Sequence, residues 1–346
     1  MRSAWRFSLV LLLLLVSGAA AVAWVGMRSL DEPLRLAAPL RFKVTPGASF
    51  ARVAAELAAQ GVVVNPRAWI LFARIRGLAP AVKAGEYEIQ PGTTPRELLT
   101  KMVNGQVLLH SFTIVDGWRV QDMLDALRRN PDVAITLADN AAGLMDKMGL
   151  PGVDPEGQFL PETYRFVGGT TDVELLRQAH AALAKELESA WLTHDPSLPL
   201  RDSRELLIMA SIVEKESGLP QELRLIAGLY LHRLRMGMRL QADPTVIYGL
   251  GDRYDGDIRT VDLRTDGPYN TYTRAGLPPT PIALAGAAAI RATAHPEKTD
   301  AIYFVASPKD DGSHVFSATL QEHNAAVASY VAHQRHKTAA AGDGVR

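Results

Sequence analysis

Two carboxylates flank a lysine in "SIVEKES", Ser211 to Ser217, directly after the apolar run "LLIMA". Glu214 and Glu216 are the side chains here whose type and spacing could do chemistry. The segment from 203 to 217 reads as a helix, with Asp202 or Ser203 as cap and Glu205 as capping-box partner to Asp202. At about 100° per residue, Leu206, Met209, Ala210 and Val213 form an apolar stripe that Ile208 and Ile212 widen. Glu216 falls inside that stripe, while Glu214 and Lys215 point toward the rim. Burial, the negative end of the helix dipole and a nearby Glu214 would each raise the Glu216 pKa. A carboxyl kept protonated near neutrality is what a general acid for glycosidic cleavage requires. The competing reading is a solvated charge run at a helix end.

The spacing also limits mechanism. Retaining glycosidases place two carboxyls about 5 Å apart across the sugar, and inverting ones about 6.5–9.5 Å. Side chains two apart on a helix diverge by about 200° and cannot flank one bond. Either a second acid comes from elsewhere, with Glu162 and Asp243 as candidates, or one carboxyl does both jobs.

The elements that must position this motif lie in a chain of 346 residues, 47% of them hydrophobic, enough for about two domains with real cores. The 37 basic and 37 acidic side chains balance, so no charged field or Lys/Arg-rich run marks a nucleic-acid partner. There is no cysteine, which excludes disulfides, thiolate nucleophiles and Cys zinc sites. The nine histidines show no metal-ligand spacing, and nothing calls for a cofactor.

Phe7 to Gly26 is a run of 20 residues without a charge. As a helix it would span roughly 30 Å, the hydrocarbon core of a bilayer. Arg2 and Arg6 precede it, Trp5 and Trp24 sit near its ends, and the positive flank favours an N-terminus inside. Its "AAAVA" also fits a cleaved signal peptide. On either reading the body is exported.

The expected fold is α+β: a cytoplasmic tip (1–6), one transmembrane helix (7–26), a tether (27–39), a small α+β module (40–108), a larger α+β domain (109–335) and a disordered tail (336–346). A weak repeat of strand, turn and amphipathic helix begins at Phe42, Tyr87 and Phe112, with Pro46-Gly47, Pro91-Gly92 and Asp116-Gly117 at the turns. Thr94, Pro95 and Glu97 sign a capping box. Helices are expected at 119–129, 173–190, 203–217, 220–236 and 318–333, and a strand at 300–307. Residues 237–283, dense in Gly, Pro, Asp, Thr and Tyr, read as long ordered loops that carry function.

"IMASIVEKESG", "RLRMGMRLQADPTVIYGLG", "YNTYTRAGLPPTPI" and "HPEKTDAIYFVA", in this order, resemble the YceG-like family of endolytic murein transglycosylases. The resemblance covers nearly the whole chain, including "GQFLPETYRF". It implies a single-pass inner-membrane protein with a periplasmic body, and a LysM-like module at 40–108. It implies cleavage of the β-1,4 bond between N-acetylmuramic acid and N-acetylglucosamine in nascent glycan strands, leaving 1,6-anhydromuramic ends. It further implies Glu216 as the catalytic residue, with peptidoglycan synthases (penicillin-binding proteins) as partners. The family pattern has Pro-Gly after "PI", where this chain reads "PIALAGAAAI", so a softer helix start is expected there.

A non-hydrolytic outcome suits a single acid that turns base. The loops offer Gln241, Asp243, Thr245 and Tyr248, then Tyr269, Asn270, Thr271 and Tyr272, as amides, hydroxyls and rings for acetamido sugars. Taken singly, each has a structural alternative. A tyrosine can simply pack, Asp243 before Pro244 can cap a turn, and Glu162 can sit in a salt bridge. His295 reads as structural. Two other functions remain open: a non-catalytic peptidoglycan-binding anchor for synthases, and a peptidoglycan hydrolase using Glu162 or Asp243 as base.

Overall fold

The computed structural model describes residues 13–18, 21, 24–137, 141 and 143–343, with side chains to 337. Much of the 7–26 segment lies outside them. Among the described residues no helix is long and apolar enough to cross a membrane. The chain divides into two compact units: that up to His110 together with Arg165–Gly169, and Ser111–Tyr164 together with Thr170 onward.

The first unit runs β1 (Leu40–Val44), α1 (Phe50–Ala59), α2 (Pro66–Ile75), β2 (Gly85–Ile89) and α3 (Pro95–Asn104). β1 and β2 pair antiparallel with Phe42 opposite Tyr87 and Leu40 opposite Ile89. Period-two alternation buries Phe42, Val44, Tyr87 and Ile89 on one face. Against it pack Leu57 of α1, Trp69 of α2 and Met102 of α3. The two buried polar aromatics each find an acceptor. Trp69 Nε1–H donates to the Pro95 carbonyl at 2.9 Å and the Tyr87 hydroxyl to that of Lys83 at 2.8 Å. The Thr94–Glu97 capping box forms in both directions. Residues 29–36, read as tether, are docked instead. Leu30 and Leu34 are buried in this core, and Asp31 pairs with Arg96.

β3 (Leu109–Thr113) follows and pairs with β4 (Thr163–Val167). The second unit carries α4 (Val120–Arg128), α5 (Leu144–Met148), α6 (Asp172–Leu192), α7 (Ser203–Glu216), α8 (Leu223–Arg235), α9 (Asp243–Leu250), α10 (Thr260–Arg264), α11 (Ala287–Ala294), the antiparallel pair β5 (Tyr303–Ala306) and β6 (His314–Ser317), and α12 (Leu320–Asp343). The sequence repeat is structural. Each copy is a strand, a turn and a helix, and Gly47, Gly92 and Gly117 hold φ of 77°, 88° and 75° at the turns.

Three further expectations change. Residues 237–283 hold α9 and α10, because Pro244 enters the first turn of α9, where its missing N–H costs nothing. α12 runs past 333 to Asp343, through residues read as a disordered tail, and its Ala-rich end has high helix propensity. Asp202 accepts from the Glu205 N–H at 2.9 Å, but the Glu205 carboxylate turns to Arg201, so the capping box is only half made.

α7 is the centre of the second unit. Every residue from Glu205 to Val213 is buried, because α6, α8, α9 and α11 all pack on it. A one-sided stripe therefore understates its enclosure. α8 is set against the segment after α11 by a close approach at Gly228, where a Cβ would sit 2.1 Å from the Glu297 carbonyl oxygen. Gly228→Ala should thus displace backbone and destabilise the fold by about 2 kcal/mol. A urea midpoint equal to that of the unsubstituted chain would refute this.

Candidate active site

Glu216 is the last residue of α7. Ser217 ends the helix with extended backbone, and its hydroxyl accepts from the Leu219 N–H at 3.0 Å. The Glu216 carboxyl opens on a cleft of about 470 Å³, shared with Tyr230, Arg233, Gln241, Asp243 and Tyr272. Tyr230 on α8 donates its hydroxyl to Glu216 Oε1 at 2.5 Å. One turn further, Arg233 is buried and donates to the Leu240 carbonyl and, at 3.0 Å, to Gln241 Oε1.

Burial pushes the Glu216 pKa up to about 7; the Asp243 charge adds to this, while the Tyr230 hydrogen bond and the Arg233 charge oppose it. The charge that raises it is Asp243, not Glu214 as the sequence suggested. Glu214 is not a rim residue either. It accepts the Gly286 N–H at 3.0 Å, which is the start of α11. Glu214 thus holds the helix start after "PIALA", and a Cβ at Gly286 would lie 2.2 Å from Asp116 Oδ1, so a side chain there would have to displace the Asp116 carboxylate. Lys215 is exposed and donates to the Gly117 carbonyl at 3.2 Å.

The loop residues separate into two groups. Gln241, Asp243 and Tyr272 line the cleft with Glu216. Gln241 holds a φ of 52°, an uncommon left-handed conformation for a side-chain-bearing residue. With its Oε1 taken by Arg233, what it offers the cleft is its amide NH₂. Tyr272 donates to Asp243 Oδ1 at 2.5 Å. Asn270 and Thr271, by contrast, are buried and hold the loop. Asn270 Nδ2 donates to the carbonyls of Asp262, Leu263 and Thr265, and its Oδ1 accepts the Tyr272 N–H at 2.9 Å. Thr271 Oγ1 accepts the Ala242 N–H and pairs with Thr245. Both act by placing Tyr272 and α9. Tyr248 and Tyr269 lie edge to face at 4.8 Å and line a second cavity of about 270 Å³. Glu162 is exposed, outside the Glu216 cleft, and its carbonyl accepts the Ile114 N–H.

Some site residues were not singled out by sequence. Tyr230 and Arg233 sit three apart on the buried face of α8 among leucines, and a polar pair on an apolar face was the available signal. Tyr303, Phe304 and His323 reach the cleft from β5 and α12, which no local pattern indicates. The acid buried near "GQFLPETYRF" is Glu156, not Glu162. It accepts the Val120 N–H at 3.1 Å and the Tyr248 hydroxyl at 3.3 Å, and burial pushes its pKa up to about 7. Arg119, the residue before α4, has no side-chain oxygen to cap it, and Glu156 supplies one from a distance.

A carboxyl raised from 4.5 to about 7 keeps a proton in the folded chain that the unfolded chain has lost. Its burial costs nothing below the unfolded value; a penalty builds as pH rises from 4.5 to about 7 and levels off near about 3 kcal/mol above it. Glu216→Gln removes that penalty. The variant should melt above the unsubstituted chain at pH 8, with the gap closing toward pH 5. A gap independent of pH would contradict the buried, protonated state.

Comparison with known proteins gives matches over most of the sequence. Over 332 residues the chain is 29% identical to a Bacillus subtilis (strain 168) protein named endolytic murein transglycosylase, covering 90% of each. It is 26% identical to a protein of the same name from Streptococcus pneumoniae serotype 2, over 83% of this chain and 58% of that longer relative. A crystal structure of a yceG-like protein from Listeria monocytogenes is 27% identical and covers 83% of this chain and 98% of its own, with a TM-score of 0.49. The model of the YceG-like family matches residues 42–329, and the chain belongs to that family.

Proposed function

We propose that this chain is an endolytic lytic transglycosylase that cuts the β-1,4 bond from N-acetylmuramic acid to N-acetylglucosamine within peptidoglycan strands. The observation that carries the reading is the Glu216 carboxyl, with a pKa near 7, in a cleft lined by Tyr, Gln, Asp and Arg side chains. Such a cleft offers hydroxyl, amide and aromatic surfaces suited to a sugar. The curated relatives carry the corresponding name.

In this mechanism protonated Glu216 gives its proton to the glycosidic oxygen as the C1–O bond breaks. The bond pair leaves with that oxygen, and positive charge develops on the muramic ring. The Asp243 carboxylate, fixed by the Tyr272 hydroxyl, is the nearby negative charge that stabilises it. Glu216, now a carboxylate, takes the proton of the C6 hydroxyl while O6 closes on C1. The product is a 1,6-anhydro end, and no water is consumed. Glu214 takes no part, since its carboxylate holds the start of α11.

The placement in the cell belongs to the same proposal. The uncharged run 7–26 anchors the chain in the inner membrane with its N-terminus cytoplasmic and its body periplasmic. On this reading the first unit, with its β1-α1-α2-β2 order, serves as a LysM-like glycan-binding module. Synthases of the penicillin-binding class would supply the nascent strand.

Mass spectrometry of digested glycan strands tests the reading. Anhydromuramic ends are expected, falling off above about pH 7 as Glu216 loses its proton. Glu216→Gln should lower the yield by at least about 100-fold with folding intact. Reducing ends would make the enzyme a hydrolase, with Asp243 as base. The absence of any product would leave a binding anchor, and undiminished anhydro product from Glu216→Gln would remove Glu216 from the mechanism.

A further inference from the structure

The Tyr230 hydroxyl lies 2.5 Å from Glu216 Oε1 and, among the described residues, no other acceptor is in reach of it. The phenol is 1% exposed, and its ring meets Phe304 edge to face at 6.1 Å. This packing holds the ring in place, and the close approach of Gly228 to the Glu297 backbone, two residues earlier, fixes the stretch of α8 that carries it. Burial, with the Glu216 charge beside it, raises the phenol well above its ordinary pKa, so it remains a donor throughout the working pH range. Its single proton therefore always points at Oε1.

This fixes a choice the carboxyl would otherwise leave open. A free carboxylic acid carries its proton on either oxygen. Here Oε1 accepts from a phenol in both protonation states. We propose that Tyr230 is a positioning residue that holds Oε1 as a permanent acceptor and so makes Oε2 the oxygen that gives up and takes back the proton. The inference rests on the transglycosylase reading only for its consequence. One fixed donor atom serves both halves of the reaction, so the carboxyl need not rotate between protonating the leaving oxygen and deprotonating the C6 hydroxyl.

The same hydrogen bond stabilises the carboxylate left when the proton departs, which makes Glu216 a stronger acid than burial alone would. The other charges facing it are Arg233 from α8, which acts in the same sense, and Asp243 from α9, which opposes both. Tyr272 and His323 line the same cleft from the 269–272 loop and from α12.

Tyr230→Phe keeps the ring and its packing and removes only the hydroxyl. A hydrogen bond to a charged group of about 1.5 kcal/mol corresponds to about one pH unit. Carbon-13 NMR of the Glu216 carboxyl, without substrate, should show its titration shifted up by about that much in the variant. On glycan strands the alkaline limb of kcat/KM should move up with it. The kcat below the limb should fall several-fold with KM unchanged. An unmoved carboxyl titration would overturn the inference, whatever the melting temperature does. Should the carboxyl titration move while the unsubstituted enzyme cuts no glycan, the positioning of Glu216 stands and the transglycosylase reading falls.

Discussion

A carboxyl at the end of an enclosed helix has to give up water, and at Glu216 it does so against a phenol, a guanidinium and a second carboxylate. Most of the second unit serves that constraint. α6, α8, α9 and α11 close round α7, so its last turn reaches the cleft from a dry interior. Each charge nearby has a fixed partner: Arg233 with Leu240 and Gln241, Asp243 with Tyr272. Arg233 is the buried one of the two, and left unpaired it would cost far more than its hydrogen bonds return.

The two acids of "EKE" show how one turn of helix divides labour. Glu216 stays unpaired except for a phenol and so keeps its proton near neutrality. Glu214, two residues earlier, meets the orphan N–H at the start of α11. There it satisfies a helix terminus and is spent as a structural acceptor. A Cβ built on Gly286 would meet both Asp116 Oδ1, at 2.2 Å, and Glu214 Oε2, at 3.3 Å. The third strand-turn-helix copy thus brings its Asp-Gly turn against the 214–216 segment, with Lys215 bonded to the Gly117 carbonyl.

The polar loop residues divide the same way. Asn270 ties three carbonyls of its own loop, and Thr271 ties the start of α9. Neither lines the Glu216 cleft, yet both set where Tyr272 and Asp243 stand. Preorganisation of this sort lets a few cleft residues act without reorganising during the reaction. Glu156 does the equivalent for α4, and its burial against Tyr248 explains why that tyrosine belongs to the frame and not to the Glu216 cleft.

The sequence by itself determined what depends on near neighbours. Period-two and period-3.6 patterns, Gly at left-handed turns and the Thr94 capping box gave the strand-turn-helix repeat and the main helices, because these are set within a few residues. Helical phase singled out Glu216 from Glu214 by the same local geometry. Only the tertiary structure decided what each acid meets. That Gly286 lies against Glu214, that Tyr230 reaches Glu216 from another helix, and that Glu156 rather than Glu162 is buried are all matters of long-range packing. The docking of Leu30 and Leu34 is another. The reason is physical. A pattern of side chains along one element fixes which face turns inward, but the partner on that face comes from a distant stretch of chain, and its identity exists only once both are folded.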